Sequence, residues 1–310
     1  MAKRDSASRI SFHDQIQRNK IKSFLLIVVI FVFFIVLGYI IALILDPGYF
    51  FIIMVFATIF SLIYVLVGYY NSDKIALASV KAKPASQTEH RMFYHAAEGM
   101  SIASGLPMPK LYVMESEEIN AFASGRNPQK AVICFTTGAL KKLDKQELEG
   151  VMAHEMSHIA NYDIKFMTLT AVLIGMVSIL AQLFLRSLWF GGMGRGGNNR
   201  DGRVQIILIL LGVVFAILAP IAAQLVSFAI SRKREYAADA TGVKFTRYPP
   251  GLAKALKKIQ NEHVSDREKK HRVSKAMAPL FISDPFKKKV QGLFSTHPPI
   301  NDRIKKLESM

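Results

Sequence analysis

The chain has 310 residues, of which 51% are apolar, and it carries a formal net charge of +17. It is too apolar for an ordinary soluble domain and too polar for a bundle lying wholly in a bilayer, so membrane helices joined to a soluble part are expected. The basic charge suits an anionic membrane surface, and with no DNA- or RNA-binding motif in the chain it does not call for nucleic acid.

An arm, residues 1–23, carries Lys3, Arg4, Arg9, Arg18, Lys20 and Lys22. Two uncharged runs follow, 24–45 and 49–70, separated only by "DPG". Each is near the ~20 residues that a helix needs to cross the hydrocarbon layer, and the tight loop predicts an antiparallel hairpin over 24–70. The first run is too long for a signal-peptide core, and no small-residue cleavage site follows it. Basic residues flank the outer ends (the arm, then Lys74, Lys81 and Lys83), while the loop has none. The N-terminus and the region after residue 71 are therefore expected on the cytoplasmic side.

Residues 71–164 read as α+β. An amphipathic helix over 89–105 ends at Gly105, with Pro107 and Pro109 beyond it. Short strands are predicted at 110–115, 119–125 and 130–137, the last two forming a hairpin through the turn "RNPQ". Cys134 sits in the last strand as a buried residue, and as the chain's single cysteine it excludes an intramolecular disulfide. Asp144 and Glu147 have capping-box spacing, which predicts a helix over 145–160.

A second hydrophobic hairpin is expected over 165–230, from the runs 166–185 and 204–230. Its loop, 186–203, holds Arg186, Arg195, Arg200 and Arg203, against the charge rule. The simplest account is that the N-terminal charges set the topology and a short glycine-rich loop is carried across; the other is a shallow, re-entrant hairpin. Full spanning is favoured. Residues 231–310 form a second soluble stretch, with a helix announced by Pro249 and Pro250 and a solvated charge run at 267–275.

The stretch "VMAHEMSHIANYD" (151–163) carries the chemistry. On a helix, His154 and His158 share a face and can present two imidazole nitrogens to one metal ion. Glu155 lies about 100° round the helix, placed to reach a metal-bound water without being a ligand. A catalytic zinc needs a third protein ligand. The remaining His, Asp and Glu residues are candidates; if both hairpins span, "REYAADA" (234–240) returns to the same side of the membrane. Glu235 there can ligate, and Asp239, one turn on, can hydrogen-bond a ligand histidine. The alternative is a charged helix face at the membrane edge beside Arg232 and Arg234. The other histidines before residue 297 have no partner at ligand spacing.

His154-Glu155-Met156-Ser157-His158, "INAFASG", "SRKREYAADATG" after a hydrophobic hairpin, and "STHPP…RI" together resemble the HtpX family of bacterial membrane zinc peptidases, relatives of the CAAX prenyl endopeptidases. The resemblance covers nearly the whole chain. It implies an α+β zincin-like catalytic domain, built from 71–164 and 231–310, combined with four transmembrane α-helices. It implies one Zn2+ per chain with Glu235 as third ligand and Asp239 in support. It further implies an active site on the cytoplasmic face of the bacterial inner membrane, cutting damaged or misfolded membrane proteins. His297, in "THPP", would stabilise the oxyanion. Arg303 would do the same or brace the terminal helix; bracing is favoured. Asn120, Ala121 and Phe122 lie on a predicted edge strand, which is either a core strand or a site where an extended substrate adds as one more strand. Rival readings are a dedicated processing peptidase with a narrow substrate and a membrane scaffold stapled by zinc. Against the scaffold stands Glu155, since a structural site needs no base.

Overall fold

Two long apolar runs open the chain as helices α1 (Phe12–Ile44) and α2 (Phe50–Tyr70), linked by a 3-10 turn at Pro47–Tyr49. The computed structural model describes residues 12–44, 47–173, 175, 232–265, 280–282 and 298–310. Among them, α1 and α2 are the two helices long and apolar enough to cross a membrane, over Asn19–Tyr39 and Phe50–Tyr70, with mean hydropathy 2.9 and 2.8. Only 28% and 17% of those windows are buried, so neither is the core helix of a soluble domain. Phe24, Phe51 and Phe56 are 63%, 76% and 68% exposed. Each would cost about 1.5–3 kcal/mol in water relative to an apolar surround, which a bilayer supplies. The helices pack closely at Gly38, where a Cβ would lie 2.3 Å from the Ala57 Cβ. Residues 12–23, expected as an arm, are helical from Phe12 onward and continuous with the apolar run.

The soluble part follows in chain order. It begins with α3 (Ser72–Ser79), β1 (Lys83–Pro84) and α4 (Arg91–Ser104), the last ending at Gly105 in the left-handed conformation with φ 69°. Then come β2 (Lys110–Met114), β3 (Ala121–Ser124), β4 (Val132–Thr136), α5 (Thr137–Lys142) and α6 (Lys145–Ala160). After a two-residue turn, α7 covers 163–173. Beyond it lie α8 (Arg232–Thr246), α9 (Pro249–Ser265) and α10 (Ile300–Glu308). The described chain is mostly helical with one four-stranded sheet, ordered β1-β2-β4-β3. β3 and β4 pair antiparallel as the predicted hairpin, while β2 runs parallel to β4.

Strands β3 and β4 are buried on both faces, which is why β4 reads as an apolar run up to its final Thr136 rather than an alternation. Ile133 and Phe135 point to one core with Phe93 of α4, Leu148 and Met152 of α6, and Leu252 and Leu256 of α9. Val132 and Cys134 point to the other, with Leu77 of α3 and Met167 of α7. The helical hairpin joins through α7: Leu26, Ile30, Phe34 and Tyr64 pack on Phe166, Leu169 and Leu173, and the Tyr64 hydroxyl donates to Leu173 O at 2.7 Å. The start of the third apolar run, 166–173, is thus helical. Apart from Gly175, the rest of that run and all of 204–230 lie outside the described residues, so two of the four expected spans are observed as helices.

Candidate metal centre

The helix that carries the motif starts where local chemistry says it should. The Asp144 side chain accepts from the Glu147 backbone N–H at 2.9 Å, and the Glu147 side chain accepts from the Asp144 N–H at 2.8 Å. With the register of α6 set by that box, His154 and His158 fall on one face with their Nε2 atoms 3.3 Å apart. Helix α8 crosses this face closely: a Cβ on Gly242 would sit 3.1 Å from His154 N. The crossing brings Glu235 in, with one carboxylate oxygen 3.7 Å from His154 Nε2 and the other 3.7 Å from His158 Nε2. All three side chains are buried, and their ligand atoms lie within 4.8 Å of one another.

This donor set fits a divalent metal. Two donors each ~2.0–2.1 Å from a tetrahedral zinc lie about 3.3–3.4 Å apart, close to the spacings found. One Glu155 carboxylate oxygen is buried without a hydrogen-bond partner, an orphan that needs a reason in a native site. The charge balance agrees. Glu155, Glu235, Asp239 and Asp163 are all buried, against the buried Arg303, the partly buried Arg234 and, when protonated, His158. A dication would relieve that excess.

The titration of the groups reflects it. Burial pushes Glu155 up to about 7, with the Glu235 charge adding, against the pull of His158 and of a hydrogen bond from the Ala123 backbone. Burial lowers His154, with Arg303 adding and Asp239 opposing, which favours the neutral imidazole a metal requires. Burial also pulls on His158, but the Asp163 hydrogen bond and the Glu235, Asp163 and Glu155 charges outweigh it and raise it to about 9. A positive charge is held at His158 by the surrounding carboxylates, where a metal ion would compete with the proton.

Each histidine is oriented from behind by a carboxylate. His154 Nδ1 donates to Asp239 Oδ1 at 2.9 Å. His158 Nδ1 lies 3.1 Å from Asp163 Oδ2. Asp239 is in turn clamped by Arg303, whose Nε and Nη2 donate to its two oxygens at 2.9 and 2.7 Å. Burial alone would raise Asp239; the Arg303 charge and the His154 and Arg303 hydrogen bonds win and hold it at about 2. Arg303 is only 1% exposed, so it reaches inward from α10 to this network as well as bracing its own helix. Sequence reasoning missed Asp163; its place five residues after the second histidine, where α6 must end, was the available signal.

The predicted edge strand borders the same centre. Ala121 and Phe122 are in β3 and Asn120 just precedes it, all three buried. β3 is the last strand of the sheet, but its outer edge is not bare. Ile282 N–H donates to Ala121 O at 2.9 Å, and Phe281 bridges antiparallel to Phe122. Arg303 Nη1 donates to Ile282 O at 3.2 Å, which ties that segment to the clamp. His297 lies outside the described residues; the Pro299 that follows is the N-cap of α10.

The profile of Peptidase family M48 matches residues 86–310. A protein described as "Protease HtpX homolog" from Caldanaerobacter subterraneus is 46% identical over 257 residues, covering 83% of this chain and 84% of that one. A protein of the same description from Dictyoglomus thermophilum is 40% identical over 300 residues, covering 97% and 95%. The crystal structure of S. mikatae Ste24p aligns with 19% identity and a TM-score of 0.45, over 94% of this chain and 65% of that one.

Proposed function

The chain belongs to peptidase family M48 and is a metalloprotease, and we propose that it works as a membrane-embedded zinc endopeptidase that cuts damaged or misfolded membrane proteins at the cytoplasmic face. The observation that carries this reading is the buried convergence of His154, His158 and Glu235 beside the unpaired Glu155 oxygen. His154, His158 and Glu235 would hold the ion. Zinc, when bound, supplies Lewis acidity that acidifies a water and polarises the scissile carbonyl. Glu155 takes a proton from the attacking water and delivers it to the amide nitrogen as the C–N bond breaks. Its value near 7 suits a group that must both accept and return a proton, and a neighbouring dication favours the carboxylate form that starts the cycle. Asp239 and Asp163 hold the two imidazoles in the tautomer that leaves Nε2 free for the metal. His297 would meet the oxyanion.

An extended substrate would pair with β3 along Asn120, Ala121 and Phe122, beside Glu155, which the Ala123 N–H already touches. It would have to replace residues 280–282 on that edge.

The cytoplasmic placement draws on a collar of cations where the helical hairpin meets the soluble part. Lys20 lies over the Tyr162 ring, Lys22 and Arg234 over Phe166, Lys165 over Tyr69 and Arg126 over Tyr70. Basic and aromatic residues gathered at one end of the spans are what the positive-inside rule and interfacial anchoring ask of the cytoplasmic boundary.

The test is zinc-dependent cleavage of an unfolded protein by the detergent-solubilised chain, beside Glu155→Gln with its zinc content measured. The expected result is that the variant keeps zinc and loses about 10²–10⁴-fold in rate. A zinc-loaded parent that cuts none of a panel of unfolded proteins would move the narrow processing peptidase ahead.

A further inference from the structure

The helical hairpin does more than anchor the chain. We propose that Asn19, at the start of the apolar stretch of α1, is a positioning residue for the metal centre: it holds Asp163 and, through Asp163, the ring of His158. The inference rests on His158 being a metal ligand.

Asn19 is 6% exposed. A buried amide at the head of an apolar helix is costly unless it is hydrogen-bonded. Its Nδ2 donates to Asp163 Oδ1 at 2.6 Å and reaches Asn161 O at 3.3 Å. The two oxygens of Asp163 are therefore divided, one facing Asn19 and the other facing His158 Nδ1. A carboxylate bonded through one oxygen can still swing about its terminal torsion, which is broad and shallow. A second bond, from a different helix, fixes its plane and with it the direction in which the imidazole points.

An independent observation concerns the corner between α6 and α7. Tyr162 has φ +57°, left-handed backbone in a residue other than glycine. Such a conformation costs about 1–3 kcal/mol and persists only where its surroundings impose it. Helix α1 supplies much of that surround. Asn19 satisfies the Asn161 carbonyl before the corner, and the Lys20 ammonium sits 5.1 Å above the Tyr162 ring. Lys22 lies 5.9 Å from the Phe166 ring just after it. The corner places Asp163 one turn behind His158, so bracing the corner is bracing the ligand. A helix of the hairpin thereby becomes part of the outer shell of a site that otherwise belongs to the soluble part.

The experiment uses the full chain in detergent, carrying Glu155→Gln to prevent self-cleavage. Zinc affinity is measured by chelator competition, and the ligand field by the visible absorption of the Co2+-loaded protein. Asp163→Ala is expected to weaken zinc about 10–100-fold, and Asn19→Ala about 3–30-fold with an altered cobalt band. The double variant should bind no more weakly than Asp163→Ala alone, because both act along one path. Ser23→Ala, which removes a hydroxyl that donates to Asn19 O, should leave affinity unchanged. Should Asn19→Ala fail to fold, Asn19→Asp keeps the shape without the donor, and a loss at least as large is expected. Parent-like affinity and spectrum in Asn19→Ala or Asn19→Asp, even with a lowered melting point, would overturn the proposal by making Asn19 a packing residue only. Multiplicative losses in the double variant would overturn it too. A parent that binds no zinc sinks the metal reading itself, an outcome distinct from both.

Discussion

Replacing Arg303 by Met should destabilise the protein more than any surface change, because it strands a buried carboxylate. Arg303 is 1% exposed and makes two hydrogen bonds to Asp239, which is 2% exposed. Breaking a buried pair by removing one partner costs about 3–5 kcal/mol. The titration of Asp239 gives a second measure. It is held at about 2 against an ordinary 3.8 by Arg303 and His154 together, a preference for the charged form of about 2 kcal/mol at neutral pH. The two routes bracket a loss of about 2–5 kcal/mol, or roughly 3–8 °C in thermal midpoint for a chain of 310 residues. Adding Asp239→Asn to Arg303→Met removes the stranded charge while keeping an acceptor for His154 Nδ1, so at least half of the loss should return. The sign with pH follows from linkage. In the parent, a lowered carboxyl contributes fully above about pH 4 and loses its contribution as pH falls through 2, so this pair gives no slope between about pH 5 and 8. In Arg303→Met, burial pushes Asp239 up with only the His154 hydrogen bond left to oppose it, and acid relieves the penalty, so the gap between parent and variant should narrow as pH falls. Thermal melts of Glu155→Gln protein in detergent, with and without these changes, make the comparison. A single variant as stable as its parent, or a double variant below the single, would refute the stranded-charge argument.

Gly150→Ala should cost about 1–3 kcal/mol by overpacking, since a Cβ there would lie 2.5 Å from Leu252 N and 2.9 Å from Gly251 C. Both contacts are backbone of α9, so the helix pair must part, and a melt equal to the parent would show that α6 and α9 are looser than described. Cys134 is fully buried and burial pushes its thiol far above the ordinary range, so a thiol reagent should label it only after unfolding. Rapid labelling of active protein would contradict a β4 covered on both faces.

How far the site could be read from sequence depends on how local each contact is. His154, Glu155 and His158 were legible because a helix makes i and i+4 neighbours, and the Asp144–Glu147 box fixes that helix without help from the rest of the fold. β4 was legible because a strand covered on both faces must be mostly apolar. β1 was not: two residues, Lys83 and Pro84, hold no period, and their pairing to β2 depends on the fold around them. Arg303 looked like a helix brace because its partner, Asp239, is 64 residues away. Asp163 was in plain view, but its approach to His158 depends on a left-handed Tyr162, which sequence does not announce when the residue is not glycine. The partner of Asp163 in α1 is 144 residues distant. The segment 280–282 on the β3 edge belongs to the same class of contact, invisible to any local pattern.

That division between local chemistry and distant positioning has an energetic cause. Helix α6 can set two imidazoles side by side unaided, but it cannot neutralise what surrounds them. Glu235 and Asp239 come from α8, Arg303 from α10, and the amide that holds Asp163 comes from α1. Buried carboxylates in excess over buried cations oppose the assembly of these helices unless a positive charge joins them. A dication held as proposed at His154, His158 and Glu235 would lower that cost where the helices meet, so metal binding and the docking of α1, α8 and α10 on α6 would favour one another. The separation of the two soluble segments by the apolar stretch between them then has a consequence. Chain on both sides of that stretch must come together before the ligand set exists. The proposed metal centre and the fold should therefore form together, with little metal affinity in either soluble segment alone.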